Sequence, residues 1–326
     1  MRFATEIENW PLRAPFVIAR ETIDRLPLVH LTIEAENSVG RSEAAGVDYR
    51  DETPASMAAG IATYLTNRST LPTRRQVNQD LPPGGVRNAI DCALWDWEAK
   101  TTRTTAAEIA GIAGLRKLNS FYTLSLGRPS DMASSVKKAP TGAVLKLKLG
   151  GSDGQDVQRV CAVRAAAPVV RIVVDVNEGW TIEKLNTYAP ALADLGVEFI
   201  EQPLPVSQDA ALADYRGSIP LCADESFDDI VDLDRMTPFH FINIKLDKCG
   251  GLTAALEIAK AAKARGLGLV VGSMLGTSLG MAPAFLVGQY CDYVDLDGPL
   301  LLARDRTDPI EFDGALMTPP VPALWG

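Results

Sequence analysis

Histidine is nearly absent from this chain of 326 residues, which carries only His30 and His240. Neither stands at the C-terminal end of an apolar run, so imidazole is a poor source of a base or a metal ligand, and a Ser-His-Asp arrangement has no motif to rest on. The five cysteines (Cys92, Cys161, Cys222, Cys249, Cys291) are scattered, odd in number and form no CxxC pair. That argues against a disulfide framework or a thiolate zinc site and fits a reducing compartment. Cys222 and Cys249 lie beside charged motifs and read as small buried hydrophobes. Basic residues are outnumbered, 32 against 41 acids, for a net charge of −9. Nucleic acid is therefore not an expected partner, since phosphate binding needs a basic face. No run approaches the ~18 apolar residues of a membrane span, and MRFATEIENW lacks the basic start and apolar core of a signal peptide. The cytoplasm is the expected location, with no membrane partner. A GxGxxG following a strand and a nucleotide-binding P-loop are both missing.

What is present is the composition of an ordinary globular protein, 47% apolar and 22% charged, at a length that suits two domains or a barrel with an attachment. Residues 1 to about 50 alternate in strand fashion. FATEIENWPL, LVHLTIEAE and GRSEAAG read as a meander, with turn chemistry at Asn37-Ser38 and at Gly40. Helical spacing follows in PASMAAGIATYLTNR and in GGVRNAIDCALWDWEAK, where Val86, Ile90, Ala93, Leu94 and Trp97 share a face. TAAEIAGIAG reads as a short third helix ended by Gly111 or Gly114. Strands followed by helices imply an α+β unit over residues 1–115.

From about residue 116 to 299 the pattern changes to strand–helix alternation. Eight strand candidates appear: FYTLSLG, AVLKLKLG, RIVVDVN, EFIEQP, LCADE, FINIKLD, LGLVVGS and YVDLDG. Their near-continuous apolar character fits a parallel sheet covered on both faces. The tail from about 300 to 326 is Pro-rich and is expected to pack back on the first unit. Three acids close three of these runs: Asp175, Glu201 and Asp224, spaced by 26 and 23 residues. One βα unit has that length, and residues at strand C-terminal ends of a parallel barrel converge on one mouth. Three converging carboxylates repel unless a cation sits among them, most simply a hard divalent metal. Lysines flank the series at the same spacing, Lys148 before it and Lys248, in NIKLDKCGG, after it. The pattern describes a metal between two bases.

Side chains at i and i+2 of a strand share a face. Lys146 and Lys148 therefore point the same way, and like charge with partial burial lowers a lysine pKa toward that of a usable base. Asp295 and Asp297, in YVDLDGP, obey the same rule after the last strand. As a pair they suit a cationic group such as an ammonium, although Asp-Gly is equally a turn signal.

These motifs resemble the enolase superfamily, in particular its muconate-lactonizing-type subgroup and, within it, the dipeptide epimerases that act on L-Ala-D/L-Glu. The resemblance spans WPLRAPFVIAR, RNAIDCALWDWEAK, LKLKLG, VDVNEGW, EQPLP, ADES, NIKLDKCGGLTAALEIA and DLDGP. It implies an α/β fold, a modified TIM barrel with an N-terminal α+β capping domain joined by the C-terminal tail. It also implies Mg²⁺ on Asp175, Glu201 and Asp224, with Mn²⁺ as the alternative ion. Lys148 and Lys248 would be acid/base catalysts on opposite faces of the substrate, exchanging its α-proton through a metal-stabilised enediolate. Lys146 would support Lys148 and the substrate carboxylate, while Asp295 and Asp297 would bind the dipeptide's ammonium. Arg20, in a capping loop, would meet the glutamate side chain, with Thr123 a further contact. A homo-oligomer is in keeping with such relatives.

Two features depart from the family's pattern. Gly276 stands in GSMLGTSLGMAPA where many relatives have a charged or polar residue, which bears on the dipeptide's first residue. MASSVKKAPTGAV, between the first two barrel strands, is short for a helical connection. The alternative enzymes are an N-acylamino-acid racemase, an o-succinylbenzoate synthase or a cycloisomerase, whose substrates lack the free ammonium. A metal-binding scaffold without activity is the non-enzyme alternative.

Overall fold

A computed structural model describes residues 1–326. Three antiparallel strands open the chain: β1 (Arg2–Val17), β2 (Thr22–Ala35) and β3 (Ser38–Ala44), in that order across the sheet. The β2–β3 hairpin turns on Glu36 and Asn37, both at positive φ (50° and 62°), the backbone that matches the twist of the flanking strands. Gly40 is not part of this turn. It lies inside β3, where a Cβ would come within 2.1 Å of the Ala93 carbonyl oxygen, so glycine there permits a close helix-on-sheet approach.

Three helices follow, of which the first and third pack on this sheet and the second packs on the third. α1 (Pro54–Leu65) begins with a capping box between Thr53 and Ser56 and has Pro54 in its first turn. α2 (Arg74–Asp80), capped the same way by Thr73 and Gln76, is a helix that apolar periodicity does not predict. The longest is α3 (Gly85–Thr102), whose Ile90, Ala93 and Leu94 pack with Val29, Leu31, Ile33, Met57 and Ile61 in one cluster. Each such large apolar side chain contributes about 1.5–3 kcal/mol on burial. A short α4 (Ala106–Ile109) follows, and then the strand β4 (Leu118–Asn119).

The eight expected barrel strands are all present: β5 (Phe121–Leu124), β6 (Val144–Lys148), β7 (Ile172–Asp175), β8 (Val197–Glu201), β9 (Leu221–Ala223), β10 (Phe241–Lys245), β11 (Gly268–Gly272) and β12 (Tyr293–Val294). They pair in parallel in sequence order, and a bridge between Ser120 and Val294 joins the two ends of the sheet. Strands β6 and β10 are four places apart in this ring of eight and so face each other across it. Phe121, Phe199, Cys222 and Val270 help to fill the ring's interior. Helices α5 (Pro129–Ser135), α6 (Asp156–Ala166) and α7 (Ile182–Asp194) link the early strands. A helix does form between the first two barrel strands, with Pro129 preset for its first turn. The connections after β8 and β9 are 3₁₀ helices at Val206–Asp214 and Ile230–Arg235. After β10 come one helical turn, α8 (Leu246–Cys249), and α9 (Leu252–Ala264), then α10 (Ser278–Gly288) and α11 (Gly298–Leu301).

The tail then runs back over both regions. Leu302 bridges Leu12 of β1, and the strand β13 (Phe312–Asp313) pairs with β14 (Leu316–Met317), which in turn pairs with β4. The last residues reach α3: Trp325 donates its indole N–H to the Cys92 carbonyl, and the Gly326 amide donates to Asp96. No helix is long and apolar enough to cross a membrane.

Candidate active site

Parallel register brings the strand-end residues to one level. Lys148 on β6 is the cross-strand partner of Asp175 on β7, and Asp175 is that of Glu201 on β8. Asp224 follows directly on β9. One oxygen from each of Asp175, Glu201 and Asp224 lies within 4.8 Å of the others, and all three residues are buried. Glu201 Oε2, although 2.9 Å from Lys146 Nζ, has no hydrogen-bond partner. An unpartnered buried carboxylate oxygen in an all-oxygen cluster fits a hard divalent cation.

Lysines enclose these acids. Lys146 Nζ lies 3.0 Å from Asp175, 2.9 Å from Glu201 and 2.7 Å from Asp295. Lys148 Nζ donates to Asp175 at 2.6 Å and to Asn177 at 3.1 Å. Burial alone would lower the Lys146 pKa, but Asp175, Asp295 and Glu201 outweigh it and hold it well above the ordinary lysine value. Burial likewise opposes ionisation of Asp175, yet Lys146 and Lys148 keep its carboxyl below the usual range. Glu201 goes the other way, pushed up to about 8 by burial and by Asp175.

Two lysines, Lys245 and Lys248, meet Asp224 beyond β9. Strand β10 ends at Lys245, and alternation turns Asn243 and Lys245 to the same side. Asn243 donates to Glu201 at 2.9 Å and Lys245 to Asp224 at 2.7 Å, and Lys245 stands on the wall of the cavity above the acids. Lys248, three residues on, is carried by α8 behind Asp224. It is 0% exposed, does not line that cavity, and bonds Asp224 Oδ1 at 2.6 Å. The i, i+2 rule that pairs Lys146 with Lys148 also selects Lys245 in NIK, a signal that even spacing passes over.

Asp295 and Asp297 lie just past β12. Asp295 is occupied by Lys146. Asp297 accepts the Thr123 amide at 2.6 Å, and its carboxyl is pushed up to about 7 by burial and by Asp295. Arg20, in the turn between β1 and β2, reaches Glu178 and Glu225 at 3.0 Å each and lies over the Tyr49 ring. A cavity of about 490 Å³ lies between the first unit and the barrel mouth, with Arg20, Thr123, Lys146, Lys148, Lys245, Asp224, Asp295 and Asp297 on its wall. Besides Lys245, sequence reasoning misses Asn177, Asn243, Glu225 and Gln202. The Gln202 side-chain oxygen accepts the amides of Asp224 and Ser226, both at 3.0 Å. Gln202 and Asn177 hold positive φ angles of 33° and 44° at strand ends, a strained backbone of the kind concentrated at functional sites.

A parallel barrel with three carboxylates and flanking lysines at one mouth, under an antiparallel α+β layer, defines an enolase-type barrel protein. Residues 2–111 match the N-terminal domain of mandelate racemase / muconate lactonizing enzyme, and residues 131–320 match the enolase C-terminal domain-like family. The chain belongs to the mandelate racemase / muconate lactonizing enzyme family of the enolase superfamily. It is 37% identical to the L-Ala-D/L-Glu epimerase of Escherichia coli (strain K12), covering 94% of this chain and 95% of that one. It is 36% identical to an N-acetyl-D-glutamate racemase of a Pseudoalteromonas species, covering 92% and 95%. Among solved structures, an enolase family member from Agrobacterium tumefaciens with homology to dipeptide epimerases carries bound sodium, L-Ala-L-Glu and an ordered loop. It superposes with a TM-score of 0.96 at 40% identity over 99% of both chains. A dipeptide epimerase from Methylococcus capsulatus, complexed with Mg and L-Arg-D-Lys, gives 0.89 at 29% identity over 99% and 98%.

Proposed function

We propose that this chain is a divalent-metal-dependent dipeptide epimerase that inverts the α-carbon of the second residue of L-Ala-D/L-Glu. The observation that carries the reading is the placement of Lys148 and Lys245 on strands facing each other across the ring, with three carboxylates between them. Epimerisation needs one base to take the α-proton on one face and one acid to return a proton on the other. Lys148 and Lys245 can exchange those roles with the direction of the reaction. Asp175, Glu201 and Asp224 would hold Mg²⁺, or Mn²⁺, which share a taste for oxygen ligands. When bound, the ion offsets the negative charge that grows on the substrate carboxylate as the proton leaves, the general strategy of enolase-type sites. Lys146, between the acids and Asp295, adds positive charge where that carboxylate would lie. Asp297, on the cavity wall beside Thr123, suits the free ammonium of a dipeptide. Arg20 at the rim suits a glutamate side chain once it exchanges Glu178 and Glu225 for the substrate. Residues 1–115 with the tail from about 300 would act as the cap, and 116–299 as the catalytic barrel.

The test is proton NMR of L-Ala-L-Glu with the protein and Mg²⁺ in D₂O. Loss of the glutamate α-proton signal with growth of a second diastereomer is expected. A second reading, racemisation of an N-acylated glutamate, is favoured by the commitment of Asp295 to Lys146, which leaves a single acid for an ammonium. Exchange of N-acetylglutamate with silence of the dipeptide would select it.

A further inference from the structure

Lys248 is a fully buried ionisable residue at the acids that the proposed reaction leaves over. Resting on that reading of the site, we propose that Lys248 is a positioning residue: it fixes Asp224 for the metal, and the cap helix α3 fixes Lys248. Asp224 is the ligand with the least support from its own strand. Asp175 and Glu201 lie within the ladder as cross-strand partners, whereas β9 ends at Ala223 and pairs with β10 only through Cys222 and Ala223. Lys248 supplies the missing anchor twice, bonding Asp224 Oδ1 at 2.6 Å and the Asp224 main-chain oxygen at 2.5 Å. That double grip leaves Asp224 Oδ2 to Lys245 at 2.7 Å and sets the direction in which the carboxylate faces. A fully buried ammonium is tolerated only when so paired.

The turn bearing Lys248 is gripped from its far side by α3. The Arg87 guanidinium donates to the Cys249 carbonyl, and the Asp91 carboxylate accepts the Thr253 amide at 2.9 Å and its hydroxyl at 2.6 Å. Asp247 accepts the amides of Ala45 and Gly46 and the Asn88 side chain. Gly250 and Gly251 make the approach possible. A Cβ on Gly250 would lie 2.0 Å from Arg87 Nε, and one on Gly251 would lie 2.6 Å from Asp91 Oδ2. Cap docking and ligand geometry are thereby joined through one helical turn.

The experiment compares Lys248→Met with the unaltered protein in two measurements: Mn²⁺ affinity by electron paramagnetic resonance without substrate, and α-proton exchange from each epimer at low and saturating Mg²⁺. Removing a residue that orients a ligand should weaken the metal about 10- to 100-fold. Exchange from both epimers should fall together and recover at saturating Mg²⁺. Unchanged Mn²⁺ affinity would overturn the proposal, whether exchange is kept or is lost from one epimer alone as for a base. Should Lys248→Met not fold, Arg87→Lys perturbs the same turn from the cap without touching the site's acids; weaker Mn²⁺ binding supports the proposal and unaltered binding sinks it. Failure of the unaltered protein to exchange any dipeptide would count against the epimerase reading alone, because the metal affinity is read without substrate.

Discussion

Lys146 Nζ lies 2.7 Å from Asp295 Oδ2, so one of the two acids at the end of the barrel is already paired with a lysine that also contacts Asp175 and Glu201. Asp297 is then the acid with charge to offer a substrate ammonium, and its carboxyl is pushed up to about 7 by burial and by Asp295. Below that value Asp297 is neutral; above it the carboxylate forms. The KM for L-Ala-L-Glu is therefore expected to fall as pH rises from 6 to 8, while that for N-acetyl-L-glutamate does not follow. Asp297→Asn should lower kcat/KM for the dipeptide by about 10- to 100-fold, the loss of a charged hydrogen bond of about 1.5–3 kcal/mol. Steady-state kinetics across that range on both substrates check the pair of expectations, and parallel profiles would contradict them.

The opposed placement of Lys148 and Lys245 predicts asymmetry in single variants. Lys148→Ala should lose deuterium exchange from one epimer and Lys245→Ala from the other, each by about 10²–10⁴-fold. NMR started separately from L-Ala-L-Glu and L-Ala-D-Glu in D₂O reads this directly. Loss of the same epimer in both variants would mean that the two lysines share a face.

Glu201 combines a buried carboxyl pushed up to about 8 with an oxygen that lacks a hydrogen bond. A divalent ion would supply the missing partner. Mg²⁺ at about 100 times its Kd should raise the stability by about 2.7 kcal/mol, visible as a higher Tm in thermal melts. Glu201→Gln should abolish most of that rise, and a chelator should reverse it in the unaltered protein. An equal Mg²⁺ response in both would remove Glu201 from the ligand set.

The barrel is legible in the sequence because its strands are short, largely apolar runs that end in charge, which holds for β6 through β10 whatever surrounds them. Asp175, Glu201 and Asp224 are legible by the same token, since a strand end is a local property. Even spacing selects Lys248 over Lys245 because it runs on across the end of a strand. β10 stops at Lys245, and the next three residues belong to a helical turn with a different period. Gly40 misleads for a related reason. Its lack of a side chain serves the approach of α3, a contact between residues 53 positions apart that no local turn rule contains. Asn177, Gln202 and Asn243 act on the acids through hydrogen bonds that depend on register between strands, and register is not written in any one strand. The α2 helix is short and polar, and its capping box, Thr73 with Gln76, is its one signal.

Asp247 ties the cap to the barrel by accepting the Ala45 and Gly46 amides and the Asn88 side chain, and burial pushes its carboxyl up to about 7. In the unfolded chain this group titrates near 3.8. Between those two values the native state keeps a proton that the unfolded state releases, so stability falls as pH rises through the window and levels off above about 7. Asp247→Asn keeps a side-chain oxygen to accept the two amides and removes the titration. In chelator, the unaltered protein should lose on the order of a few kcal/mol more than the variant between pH 4.5 and 7.5. Asp91, pushed up to about 6 by burial, titrates in both proteins and cancels in the difference. Urea unfolding at the two pH values gives the four free energies required. Equal pH dependence in the two proteins would show that the Asp247 carboxyl ionises in the joint without penalty, and that its three donors alone compensate for its burial.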